Sequence, residues 1–176
     1  MYFSGLFQII MIHRKMQDTI TRYGIATLGL ILVAIGVALS IKSNLGTAPI
    51  SCPPYVVNLI GGLKVGQYTI LMHLTFILLQ IILLRKGFKA IHLMQIAAAF
   101  VFGFLTDAAI WSFSWIESPT IIWRSVLTVI SVIITALGIS LEVLGSAWML
   151  AGEMTDAALA KVLHVNFRNA KIGFDI

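Results

Sequence analysis

The chain has 176 residues, of which 59% are hydrophobic and 11% are charged, and its formal net charge is +5. Soluble domains carry roughly 25% charged residues, so this composition argues against a soluble enzyme and indicates a membrane protein. The basic residues stand in short clusters between apolar runs, as they do at cytoplasmic membrane faces, so the positive charge does not indicate nucleic-acid binding. The single cysteine, Cys52, excludes an intrachain disulfide.

The first 22 residues form a predicted cytoplasmic N-terminal segment. Residues 1–12 are apolar but shorter than the roughly 20 residues that cross a bilayer. The basic residues Arg14 and Lys15 follow this stretch, whereas a signal peptide carries such charges in front of it. Two interpretations remain open: an interfacial segment, or a misassigned start with Met16 as the initiator.

Four apolar runs are long enough to be transmembrane helices. They cover residues 23–41, 65–84, 90–113 and 121–141. Each has about the length that an α-helix needs to cross roughly 30 Å of hydrocarbon, and none shows the charged face of a soluble helix. The prediction is an all-α, polytopic membrane protein with four full spans and the start of a fifth.

Small residues inside these runs predict where helices approach each other closely. Gly29 and Gly36 are seven residues apart in the first run, and Gly138 and Gly145 have the same spacing in and after the fourth. Glycine lets two helix backbones come into contact, so a packing role is preferred over a role in ligand binding.

The distribution of lysine and arginine predicts a cytoplasmic N-terminus. With that orientation, the cytoplasmic side holds Arg14, Lys15, Arg22, Arg85, Lys86, Lys89, Lys161, Arg168 and Lys171. The outer side holds only Lys42, Lys64 and Arg124. The predicted location is therefore the bacterial cytoplasmic membrane, crossed several times, with the lipid bilayer as the first partner.

Two connecting segments are too short to span and too apolar for solvated loops. Residues 46–62 contain three prolines, which forbid one continuous helix. Residues 151–165 have the pattern of a short amphipathic helix with Thr155 or Asp156 near its start. Each is predicted to be a re-entrant hairpin or a helix that lies in the interface.

The sequence pattern repeats after about 102 residues, since GVALSI from Gly36 is similar to GISLEV from Gly138. The predicted repeats are residues 23–116, with three helices, and residues 117–176, a partial second unit. An odd number of spans inverts the next unit in the membrane, as in many secondary transporters. The alternative is that any two apolar helices with a glycine look alike. If the repeat is real, a fifth and a sixth span belong to a longer chain or to a partner.

Several motifs resemble a known family. GVALSIKSNLGTAP at residues 36–49 resembles the first-helix signature of the YczE/YyaS/YitT family of small bacterial integral membrane proteins. GFLTD, ending at Asp107, resembles the family's G-x-x-x-D, and GEMTD, ending at Asp156, resembles its GPxD without the proline. NAKIGFD at residues 169–175 resembles its R-x-x-x-D, with Lys171 for arginine. The resemblance implies about six spans in the cytoplasmic membrane, and it implies no settled activity.

Two acidic residues inside or beside spans are candidate substrate or ion ligands. Asp107 lies in the outer half of the third span, where a lone carboxylate costs about 2.5–3.5 kcal/mol and faces a cavity or a partner. It is predicted to take a proton, to bind a cation, to pair with Lys42 or Arg124, or only to cap the end of the bundle. Glu142 ends the fourth span, and an interfacial acid is the preferred interpretation.

Further candidates are polar side chains in apolar surroundings. His73 and Gln80, seven residues apart, share one face of the second span, where histidine carries protons or, more often, donates hydrogen bonds between helices. The short segments offer Thr47, Ser51 and Asn58 on the outer side and Glu153, Thr155 and Asp156 on the inner side. If the two segments dip toward each other, their tips line a substrate site.

These patterns predict a transporter or permease for a small polar solute. The alternative is a non-transporting scaffold or accessory subunit, including the substrate-binding subunit of a multi-component importer. A homo-oligomer or a partner membrane subunit is compatible with either function. An enzyme is not expected, because the sequence has no phosphate-binding glycine loop and no nucleophile with a matched base. No cofactor is expected, and no metal, since no residues have metal-ligand spacing.

Overall fold

The computed structural model describes residues 3–84, 93–117, 119–145, 150–166, 169 and 172–173. Its helices are α1 (Phe3–Ser43), α2 (Cys52–Ile60), α3 (Val65–Leu84), α4 (Met94–Ser112), α5 (Ile121–Gly145) and α6 (Ala151–Leu163), and a 3-10 turn (Pro49–Ser51) precedes α2. Four helices are long and apolar enough to cross a membrane: Thr19–Ser43 within α1, and α3, α4 and α5. The described residues contain no strand. The prediction of an all-α, membrane-embedded protein is confirmed.

Three helices differ in extent from the prediction. α1 is one continuous helix from Phe3, so the N-terminal stretch and the first span are joined. No proline or adjacent glycine pair interrupts the chain before residue 44, which leaves nothing to end the helix earlier. α5 continues one turn beyond residue 141, to Gly145. α4 begins at Met94, and residues 90–92, the predicted start of that span, lie outside the described residues.

Two of the three prolines of the first short segment lie at the start of a short helix. Pro53 and Pro54 occupy the first turn of α2. The N–H groups of a first turn have no partner within the helix, so proline costs nothing there and its fixed φ favours the helical conformation. The expectation that residues 46–62 do not form one continuous helix is confirmed, since this segment is divided into the 3-10 turn and α2.

α1 is the central helix: it packs against α5, from Arg22 to Gly36, and also against α4. The crossing with α5 depends on glycines. A Cβ atom at Gly29 would lie 2.7 Å from both the Gly138 oxygen and the Glu142 nitrogen, so the two backbones touch. At the far end, Arg22 Nε donates a hydrogen bond of 3.1 Å to the Gly145 oxygen, where the helix dipole is negative. As the residue numbers of the contacting positions rise along α1, those of their partners on α5 fall. The two helices are therefore antiparallel.

The core lies between α1, α4 and the tip of α6. Its buried members include Leu30, Val33 and Val37 of α1, Phe102 of α4 and Leu150 before α6. The outward faces of the long helices expose large apolar side chains such as Ile122, Leu144 and Phe104. Exposed apolar faces on helices of this length are what lipid-facing surfaces require.

Candidate functional site

Three buried polar side chains from three helices form what we call the central polar cluster: Gln80 of α3, Gln95 of α4 and Thr155 of α6. The two amides pair reciprocally, with Gln80 Nε2 3.1 Å from Gln95 Oε1 and Gln95 Nε2 3.2 Å from Gln80 Oε1. Gln80 Nε2 also lies 2.9 Å from the Ala151 oxygen and 3.1 Å from Thr155 Oγ1. The cluster joins α6 to the α3–α4 pair deep inside the protein.

The sequence predicts the central polar cluster only in part. Gln80 is singled out from the sequence because it shares a helix face with His73. Gln95 is not among the candidates. The available signal is the presence of two glutamines inside apolar spans, near the two ends of one connection. Because a polar side chain in lipid is costly unless it has a partner, two such residues at the same membrane depth predict each other.

His73 lies two helical turns from Gln80 on the same face, about 10.5 Å along the axis. Its ring is 1% exposed and stands edge-on to Phe76 and Phe102, with centroid distances of 6.2 and 5.8 Å. Neither ring nitrogen has a hydrogen-bond partner among the described residues. The expected interhelical hydrogen bond from His73 is therefore not made within the described part of the chain, because aromatic rings surround it.

Glu142 is buried, at 2% exposure, and its Oε1 accepts a hydrogen bond of 2.8 Å from the Leu150 N–H. Leu150 is the residue before the first turn of α6, so this carboxylate ties the end of α5 to the beginning of α6. The side chain thus belongs to the protein interior near the end of α5, and its interpretation as an interfacial acid stays a prediction. A negative charge at the N-terminal end of a helix is favourable.

Asp107 forms a hydrogen bond at the crossing of α3 and α4. Its Oδ1 accepts a hydrogen bond of 2.7 Å from the N–H of Gly66, in the first turn of α3. A Cβ at Gly103 would lie 2.6 Å from the Gly66 oxygen, so the helices cross in backbone contact beside this carboxylate. Within the described residues, its hydrogen-bond partner is Gly66 and not Lys42 or Arg124. The contact is of the capping kind, and proton or cation binding by Asp107 stays a prediction.

Removal of the Asp107 cap has a predictable cost. Asp107→Ala leaves the Gly66 N–H without its acceptor, and we expect the free energy of unfolding to fall by about 1 kcal/mol. Asp107→Asn retains an acceptor oxygen and should lose less. Thermal unfolding in detergent measures the effect, with Glu117→Ala, at an exposed acidic position, as the control. Equal stability of the Asp107→Ala and wild-type proteins would contradict the assignment.

The chain turns after α1 before α2 begins. Asn44 and Gly46 adopt positive φ angles of 54° and 129°, conformations that asparagine and glycine tolerate best. Ser40 Oγ donates to the Gly46 oxygen at 3.0 Å and holds this turn. Of the predicted site residues here, Ser51 is buried, and Thr47 Oγ1 is a buried atom without a hydrogen-bond partner among the described residues.

The tips of the two short segments touch. Gly152, in the first turn of α6, packs against the side chain of Ile50, in the 3-10 turn before α2. Thr155 and Asp156, one turn further along α6, are fully buried. The structure thus brings together the segment tips, Thr155 and the glutamine pair. The side chain of Glu153 and most of the predicted start of a fifth span lie outside the described residues.

A cavity of about 620 Å³ adjoins α2 at the end of the bundle where α3 begins. Its polar lining residues include Lys42, Tyr55, Asn58 and Glu117. Asn58, a candidate from the sequence, also donates a hydrogen bond of 2.7 Å to the Leu63 oxygen. The cavity therefore offers hydrogen-bonding groups at the end of the bundle where α3 begins. Within the described ranges, no three histidine, cysteine or acidic residues are close enough to hold a metal ion.

Comparison with known proteins gives a family and no function. No curated protein matches the chain, and no solved structure matches it. One family model, described as a family of unknown function (DUF6198), matches residues 20–176, which includes every element of the central polar cluster. Because that match covers most of the sequence, the chain belongs to the family of unknown function DUF6198.

Proposed function

We propose that this membrane protein transports a small polar solute, and that its two short helices, α2 and α6, are symmetry-related elements that meet at the transport site. The single observation that carries the proposal is the contact between Ile50 and Gly152, the tips of the segments that begin α2 and α6. Short helices whose N-terminal ends meet inside a bundle present unpaired N–H groups to a bound solute.

The positions of the element ends support an inverted repeat with an offset of 102 residues. α1 ends at Ser43 and α5 ends at Gly145. The residues that precede the next helical segments, Ala48 and Leu150, are both extended, with ψ angles of 146° and 152°. Equivalent hydrogen bonds follow, from Cys52 N to the Ala48 oxygen and from Met154 N to the Leu150 oxygen.

The crossing of α1 and α5 supports the same symmetry. A Cβ at Gly36 would lie 3.0 Å from Thr135 N and 3.1 Å from the Ser131 oxygen. A Cβ at Gly138 would lie 2.7 Å from Val33 N and 2.8 Å from the Gly29 oxygen. Each residue of the second set is 102 positions from its counterpart in the first. A two-fold axis through an antiparallel helix pair produces such matched contacts.

The Ile50–Gly152 contact fits the axis of this symmetry, since these two residues are themselves 102 positions apart. Ser40 and Glu142 are a further pair of equivalent positions. Each side chain forms a hydrogen bond with the backbone just after its own span. We therefore propose that residues 23–116 and 117–176 belong to two inverted units. Rocking of one unit against the other would expose the meeting point to each face in turn.

Orientation and location are part of the proposal. The bias of lysine and arginine favours a cytoplasmic N-terminus, and the resemblance to the YczE/YyaS/YitT family, which stays a prediction, favours the bacterial cytoplasmic membrane. In that orientation the cavity beside α2 faces outward and offers polar groups to an arriving solute. We propose no enzymatic step and no cofactor for this site.

The transport proposal is tested by uptake into proteoliposomes. Purified protein is reconstituted and offered a panel of radiolabelled amino acids, monocarboxylates, sugars and nucleosides. We expect accumulation of at least one panel member, reduced at least tenfold by Gly152→Leu, which fills the meeting point of the two tips. Gly173→Leu, at a glycine with open space around it, is the matched control. Flux equal to that of empty liposomes for the whole panel would contradict the proposal.

A second candidate function is a non-transporting membrane scaffold or accessory subunit. The central polar cluster favours this function. Its two amides form hydrogen bonds with each other, as polar side chains do where membrane helices associate. An importer's substrate-binding subunit is one form of this alternative. Stable co-purification of an ATPase, together with absence of uptake by the isolated protein, would favour it over the transporter.

A further inference from the structure

A groove of about 750 Å³ runs between α3 and α4 on the outer surface of the bundle. One end is polar and is lined by Lys64, Gln67 and Asp107. The remainder is apolar, with walls formed by Ile70, Leu71, Leu74, Phe100 and Phe104. None of the lining residues belongs to α2, α6 or the central polar cluster, so the groove is a separate feature from the proposed transport site.

The polar end of the groove lies where the spans reach the membrane surface. Lys64 immediately precedes Val65, the first residue of α3, and Trp111 lies at the same end, one residue before the end of α4. The Trp111 side chain is 78% exposed, and exposed tryptophan is typical of the level of the lipid head groups. From Lys64 to Leu74 the groove follows about 15 Å of helix, close to the thickness of one leaflet's hydrocarbon.

Two opposite charges stand at the head-group end of the groove. The Asp107 carboxylate is held in place through Oδ1, which accepts the Gly66 N–H at 2.7 Å. Lys64 is held at its backbone, where its N–H donates to Gln67 Oε1 at 2.9 Å, and its side chain is exposed. Both charged side chains line the same groove. A head group that carries both an anion and a hydrogen-bonding cation complements this pair.

We infer that the groove binds a phospholipid with a primary ammonium head group, phosphatidylethanolamine. Lys64 contacts the phosphate, the Asp107 carboxylate accepts hydrogen bonds from the ammonium, and one acyl chain lies along the apolar wall. A choline head group has no N–H to donate to Asp107, and a glycerol head group has no cation. Lipids with either of these head groups therefore bind more weakly than phosphatidylethanolamine.

Native mass spectrometry of the delipidated full chain tests this inference. The protein is titrated with phosphatidylethanolamine, phosphatidylcholine and phosphatidylglycerol that carry identical acyl chains. We expect wild-type protein to prefer phosphatidylethanolamine by about fivefold, the value of one charged contact near a membrane surface. Lys64→Gln should weaken its binding by a similar factor. Asp107→Asn, which retains an acceptor for Gly66, should abolish the preference over phosphatidylcholine.

Matched controls separate the groove from general lipid affinity. Ala108→Phe fills the groove at an exposed position, whereas Ala136→Phe places the same ring on the exposed face of α5. Lys161→Gln removes an exposed lysine elsewhere. We expect loss of binding for Ala108→Phe and not for Ala136→Phe, and weakening for Lys64→Gln and not for Lys161→Gln. Equal affinity of wild-type protein for the three lipids, tighter binding of phosphatidylglycerol, or unchanged binding by Lys64→Gln would each overturn the inference.

Discussion

Replacement of Gly29 by leucine is expected to separate α1 from α5 and to lower the free energy of unfolding by about 3 kcal/mol or more. The reason is that a Cβ at this position meets backbone atoms of the partner helix, the Gly138 oxygen and the Glu142 nitrogen, both at 2.7 Å. Backbone atoms cannot rotate away as a side chain does. In a membrane, moreover, helix association depends on this close van der Waals packing, because lipid supplies no hydrophobic driving force.

The matched control for Gly29→Leu is Gly24→Leu in the same helix. Gly24 is exposed, and a Cβ added there would have nothing within 4 Å, so leucine should leave stability unchanged or raise it slightly through helix propensity. Thermal unfolding of both variants in one detergent measures the difference. Similar melting temperatures for the two variants would show that the α1–α5 contact does not hold the fold together.

Loss of either glutamine of the central polar cluster is the second large effect. Gln95→Leu deprives the Gln80 amide of its reciprocal partner inside the protein, and Gln80→Leu does the same to Gln95. An interior amide without a partner costs about 1–3 kcal/mol, so we expect each single variant to be destabilised by about 2 kcal/mol. Gln80→Leu should have the larger effect, since it also removes the contacts to Ala151 and Thr155.

The double variant Gln80→Leu/Gln95→Leu distinguishes a true pair from two independent residues. With both amides replaced by apolar side chains, no glutamine is left unpaired, so the destabilisation should be smaller than the sum of the single effects by about 1 kcal/mol or more. Gln67→Leu, at an exposed glutamine, is the control and should cost less than either. Strict additivity of the two single variants would contradict the pairing.

The long helices are predictable from the sequence because the apolar composition of each run is enough to identify it. Runs such as residues 65–84 are apolar on all sides, and lipid imposes that requirement without help from tertiary contacts. The observed α3, Val65–Leu84, has the predicted bounds. The predicted ends of α1 and α5 are less accurate, because they depend on what the helix meets there: the Asn44–Gly46 turn in one case and the hydrogen bond from Arg22 to Gly145 in the other.

The candidate site is predictable only in part, because the sequence identifies single polar residues but not which of them come into contact. Thr155 and Asp156 are predicted, and they are fully buried on α6. The hydrogen bond of Glu142 with Leu150 is not predicted, because a residue at the end of a predicted span gives no sign of the later backbone group that it contacts. Gln95 is missed because its partner, Gln80, lies on another helix, and the periodicity of one helix gives no information about contacts between helices. The packing role predicted for the glycines at 29 and 138 is confirmed, since both lie in the backbone contact of α1 with α5.

The account depends most directly on α2 and α6 entering from opposite faces of the membrane and meeting inside. In a background with Cys52 replaced by serine, Ile60→Cys at the end of α2 and Leu163→Cys at the end of α6 both place a thiol at exposed positions. A membrane-impermeant maleimide should label Ile60→Cys only from outside the cell and Leu163→Cys only after the cytoplasmic face is opened. Labelling of both cysteines from the same face would contradict the account.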